Sequence, residues 1–123
     1  MGVQQTQAAV SMAKAGDDIS PHQVISLLLE GALERIHQAK RSLENSDQEN
    51  FDLLVLKTIG ILNGLRASLN FEQGGEIATN LDALYDYVAA QLQTAPDEDK
   101  LVEASALLSQ VKSGWDGIAP SAN

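Results

Sequence analysis

The chain has no cysteine, only three prolines and only five aromatic residues with a ring of Phe, Tyr or Trp type: Phe51, Phe71, Tyr85, Tyr87 and Trp115. Without cysteine it has neither disulfides nor thiolate metal sites. With prolines only at 21, 96 and 120, helices can run long between them. Cations are scarce too: 8 Lys plus Arg stand against 17 Asp plus Glu, a net charge of −9. That balance argues against nucleic acid, whose phosphates need clustered cations, and against docking on anionic lipid. No apolar run approaches the roughly 20 residues of a membrane span, and no basic stretch leads into an apolar segment as in a signal peptide. A cytoplasmic location is the expectation. What is present is enough apolar residue, 44% over 123 positions, for one modest core.

The periodicity throughout is helical, and no segment alternates with the period of two that a strand requires. Ser20, Pro21 and Gln23 form a capping box with proline at the first helical position, predicting a helix to about Ser42–Asn45. Ser46 and Glu49 repeat the box spacing and predict a second helix to about Asn70. Gly74 and Gly75 break the pattern, so a third helix is expected from about Gly75 to Gln93. After a turn at Pro96, Asp97 should cap a fourth helix from Glu98 to Trp115. The expected fold is all-α, an antiparallel up-down four-helix bundle over 20–116, with a short N-terminal helical arm over 1–19 and a disordered tail over 117–123.

Residues spaced about 100° apart around each axis separate core from surface. The first helix aligns Ile25, Leu28, Ala32, Ile36, Ala39 and Leu43, with Val24, Leu29 and Leu33 widening the stripe. The third aligns Ile77, Leu81, Leu84, Val88 and Leu92, with Tyr85 and Tyr87 on opposite shoulders and Asp82 and Asp86 toward solvent. The fourth has the seam Leu101, Ala104, Leu108, Val111, Trp115 and Ile118. The second helix is apolar on two sides. Phe51, Leu54, Val55, Thr58, Leu62, Leu65 and Leu69 form one seam, while Leu53, Leu56, Gly60, Gly64 and Ala67 cluster opposite. Such a helix sits centrally, is covered by residues 1–19, or meets a partner. The candidate partner-binding residues are therefore Ile25, Leu29, Leu33, Leu53, Leu56, Gly60, Gly64 and Ala67.

Motifs for chemistry are absent. His22 and His37 are read as plain surface residues, no hydrolase, zinc-protease or phosphate-loop motif occurs, and 97-DEDK-100 reads as a helix start. The Gly-Gly pair has no strand before it and no lysine after it, so it reads as a corner between helices. Neither an enzyme nor a cofactor is expected.

The run 65-LRASLNFEQGGEIATNLDALYDYV-88 closely resembles the signature of the flagellar export chaperone FliS family, and 20-SPHQVISLLLEGALERIHQAK-40 and Trp115 agree with it. The resemblance covers about residues 20–116. It implies a non-enzymatic cytoplasmic chaperone that binds the disordered C-terminal segment of flagellin, prevents its premature polymerisation and helps deliver it to the export apparatus. Leu29 stands where that family commonly has tyrosine, and 1–19 carries no aromatic residue. The alternative is a homodimeric helical-bundle assembly or regulatory protein, joined through the second face of the second helix.

Overall fold

The computed structural model describes residues 20–118. The expected N-terminal arm over 1–19 lies outside them, as does the tail beyond Ile118. Four helices make up the described chain: α1 (Pro21–Glu44), α2 (Gln48–Ala67), α3 (Phe71–Gln93) and α4 (Glu98–Asp116).

Each helix starts where a side chain can hold its free N–H groups. Ser20 and Gln23 close the full capping box of α1, with Pro21 at the first position. Asp47 caps α2 by accepting from the Asn50 N–H at 3.3 Å, so the predicted box at Ser46 is displaced by one residue. Ser46 itself takes φ 58°, a left-handed conformation that ends the α1–α2 turn and lies outside the negative φ of a capping residue such as Asp47. Asp97 caps α4 through the Lys100 N–H at 3.0 Å, as its position predicts.

The third helix departs most from expectation. It begins at Phe71, four residues before Gly75, because Asn70 caps it by accepting from the Gln73 N–H at 3.0 Å. One turn forms, and Gly75 then kinks the helix with φ 50° and ψ −124°. The glycine pair is thus a bend inside an element, with one helical turn hinged ahead of the main body.

The helices form a four-cornered bundle. α2 packs most extensively on α1, α4 also packs on α1, α3 packs on α2, and α3 meets α4 only sparingly. The core joins Leu29, Ala32, Ile36 and Ala39 of α1 to Phe51, Leu54, Leu62 and Leu65 of α2, Tyr85, Val88 and Leu92 of α3, and Leu101, Ala104 and Leu108 of α4. Thr58, the polar member of the α2 seam, is buried and donates to the Leu54 carbonyl at 2.9 Å.

Candidate functional site: an apolar groove at the open end of the bundle

Antiparallel packing gathers four helix ends at one end of the molecule: the start of α1, the close of α2, the start of α3 and the close of α4. There the weakly joined α3 and α4 stand apart. A groove of about 670 Å³ opens between them, within the range of small-ligand pockets. Val24, Ile25 and Leu29 come from α1, Leu65 from the last turn of α2 and Leu69 from the turn that follows it. Ile77, Leu81 and Tyr85 of α3 face Val111 and Trp115 of α4 and Ile118 just beyond it. No lining residue carries a charge.

The seams predicted from periodicity explain this groove. Leu101, Ala104 and Leu108 are buried, but the same line of α4 continues through half-buried Val111 and Trp115 to exposed Ile118. In α3, Val88 and Leu92 are buried, whereas Leu81 is half-buried and Ile77 is 70% exposed. Both stripes run past the end of the core and, among the described residues, leave their last members facing each other across a gap.

One wall is fixed by a clasp between the start of α1 and the end of α4. The imidazole of His22 stacks on the indole of Trp115, with ring centroids 4.9 Å apart and planes 13° from parallel. His22 Nε2 lies 2.8 Å from the Trp115 carbonyl. A carbonyl only accepts, so that nitrogen carries the hydrogen. The indole Nε1–H of Trp115 donates in return to the His22 carbonyl at 2.9 Å. Beside them the Ser26 hydroxyl donates to Asp116 Oδ1 at 2.7 Å, and Lys112 pairs with Asp116 Oδ2 at 2.6 Å. The lysine bond, followed by the serine bond, pulls the Asp116 carboxyl below the usual aspartate range. His22 is therefore no surface residue: it is 7% exposed. Its position in the first turn of α1 puts it under the end of α4, a neighbour that helical periodicity does not disclose.

The opposite wall is tied to α2. Arg66 Nε donates to Asp82 Oδ1 at 2.8 Å, and its Nη1 reaches Asp86 Oδ1 at 3.1 Å. Asp82, expected to point to solvent, is instead drawn onto α2, and the Arg66 hydrogen bond lowers its pKa. The two tyrosines divide sharply. Tyr85 is buried under the groove, and burial pushes its phenol up to about 12. Tyr87 lies outside and donates to Glu103 Oε2 at 2.9 Å, which raises its pKa.

The candidate partner-binding residues fall into three places. Ile25 and Leu29 line the groove, although Leu29 is fully buried and serves as its floor. Leu33 is half-buried against the core. Leu53 and Leu56 are 49% and 65% exposed on the outer side of α2, with Gly60 and Ala67 also exposed and Gly64 half-exposed. Among the described residues, a Cβ added at Gly60 or Gly64 would meet nothing within 4 Å. Leu56 also borders a shallower depression of about 350 Å³ with Ile59, Leu92 and Pro96. Periodicity places the α3 and α4 walls in the core. Their signal was a seam longer than the core it had to fill.

Among the described residues no cluster of His, Asp and Glu could hold a metal ion, and no helix is long and apolar enough to cross a membrane. The groove offers apolar surface and shape. The profile of the family described as "Flagellar protein FliS" matches residues 3–122. The chain belongs to the FliS family. It is 47% identical over 113 residues to the flagellar secretion chaperone FliSB of Pseudomonas aeruginosa, covering 89% of this chain and 90% of that one. It is 40% identical over 120 residues to the flagellar secretion chaperone FliS of Salmonella typhimurium, covering 94% and 89%. The FliS of Bacillus subtilis is 26% identical over 99 residues, covering 78% and 73%. FliS relatives are named for a chaperone role and not for a catalysed reaction, in keeping with an all-helical bundle that carries a groove.

Proposed function

We propose that this FliS-family chain acts in the cytoplasm as an export chaperone, holding the disordered C-terminal segment of flagellin until the export apparatus receives it. The observation that carries the reading is the uncharged apolar groove between α3 and α4, lined by residues whose periodicity is that of a core. A client segment folding as an amphipathic helix would complete that core at the open end, as apolar helix faces complete grooves elsewhere. Ordering a flexible client costs conformational entropy, so affinity rests on a few anchoring contacts. The exposed stripe of Leu53 and Leu56 on α2 gives the remainder of a long client a second surface to follow.

The test is calorimetric titration with a peptide of the C-terminal segment of flagellin from the same organism. Ile77→Asp places a charge on an exposed wall residue and should weaken binding by at least about tenfold, with circular dichroism unchanged. Leu56→Asp makes the same test of the α2 stripe and should also weaken binding without unfolding. Full affinity in both variants would overturn the reading. The exposed α2 stripe also favours a homodimer as a second reading, and sedimentation at micromolar concentration distinguishes it, since a clean monomer removes it.

A further inference from the structure

We propose that the His22–Trp115 clasp is a positioning device that keeps the groove open. The idea rests on the groove being a binding site, but its geometric part can be judged without any client.

Two facing apolar walls gain free energy by closing on each other, because closure removes their surface from water. α3 and α4 nevertheless stay apart at this end. The last turns of α4 bury none of their side chains fully: its buried residues stop at Leu108. Besides the packing of half-buried Val111 and Trp115 on the core, a set of bonds to the first turns of α1 holds those turns. Trp115 and His22 exchange two hydrogen bonds and stack, and Asp116 accepts from Ser26. All of these pull α4 toward α1 and none toward α3. The Trp115 carbonyl already accepts from the Ile118 N–H at 3.0 Å, and His22 adds a second donor to the same oxygen. The indole does two jobs, its N–H locking the wall while the residue lines the groove. Without the clasp, the end of α4 is free to lean across the groove onto Ile77 and Leu81, and a client must first pay to displace it.

The absence of cysteine makes a direct test simple. Asn80 on α3 and Ser113 on α4 are exposed and lie outside the groove lining. Cysteines placed at both carry spin labels, and double electron–electron resonance reads the distance across the groove in the client-free full chain. His22→Ala should give a shorter or broader distribution than the parent. His22→Phe keeps a ring to stack on the indole but loses the donor. His22→Gln keeps a donor near the Nε2 position but loses the stack. Partial return of the parent distribution in either variant supports the clasp and tells which component sets the wall. The flagellin peptide should bind His22→Ala about tenfold more weakly, the expected effect of losing one net hydrogen bond together with the stack. An unchanged distance distribution in a folded His22→Ala chain overturns the proposal. So does unchanged peptide affinity in a chain whose groove has narrowed. If His22→Ala fails to fold, Trp115→Phe, which retains an aromatic wall and removes only the indole donor, is measured in the same way, and an unchanged distribution there overturns the proposal. Failure of the unmodified chain to bind the peptide would instead sink the flagellin reading, leaving the distance measurement to judge the clasp.

Discussion

Gly75 has φ 50° and ψ −124°, a conformation that side chains with a Cβ rarely adopt. Its neighbour Gly74 is confined for a different reason, since a Cβ there would come within 2.9 Å of the Ala78 Cβ. Gly75→Ala should therefore destabilise the chain by about 1–3 kcal/mol through backbone strain, and Gly74→Ala by about the same through overpacking. Gly60 and Gly64 are helical with open space around them. Alanine at either should stabilise by about 0.5–1 kcal/mol, because glycine is a poor helix former. Urea unfolding of the four variants would show two losses and two gains. Leu29→Ala should cost about 2–5 kcal/mol by opening a cavity. These differences are hidden in the sequence. Periodicity assigned Leu29 a shoulder position and Ile77 a seam position, yet Leu29 is fully buried and Ile77 is 70% exposed. A helical repeat gives the direction in which a side chain points. How deeply it is covered depends on what lies opposite.

Among the elements, the joint between α2 and α3 rests on charge as well as packing. Arg66 holds Asp82 and Asp86 beyond the Gly75 kink, and its hydrogen bond depresses the pKa of Asp82. A depressed folded pKa means that stability is gained above the ordinary aspartate value of 3.8 and lost as pH falls below it. Asp82→Asn should thus lower the melting temperature modestly near pH 7, the difference from the parent shrinking in acid as Asp82 itself becomes protonated. Both groups are partly exposed, so the effect stays within the small range of surface pairs. At the alkaline end the sign reverses. The buried Tyr85 phenol has its pKa raised to about 12, so the preference for its protonated form supports the fold up to the ordinary tyrosine value of 10 and disappears as pH rises through 12. The helix starts at Ser20 and Asp97 were legible because capping is local chemistry, written within four residues. The start of α3 was misread because Gly-Gly signals a break more loudly than Asn70 signals a cap. The Arg66 pairing and the burial of His22 depend on residues 16 and 93 positions away, and no local pattern carries them.

For the whole molecule, an excess of 17 acidic over 8 basic residues sets a background of self-repulsion. Raising salt from about 10 mM to about 150 mM shortens the screening length from about 30 Å to about 8 Å, and the melting temperature should rise. A fall would mean that the few ion pairs outweigh the net charge. The groove could not be read from any single helix, because it is assembled from four helix ends and from a gap between two of them. Its material was in plain view as apolar seams extending beyond what one small core could enclose.

Trp115, which lines the groove, is the only tryptophan in the chain. The protein therefore carries one intrinsic optical probe at the place where occupancy would be felt. Excitation selective for indole reads that residue alone, without a label. Filling the groove with a tryptophan-free peptide should move its emission to shorter wavelength and protect it from a dissolved quencher such as acrylamide. A peptide that engaged only the outer side of α2 would leave the spectrum unmoved, so a simple fluorescence titration can tell which of the two surfaces a client reaches.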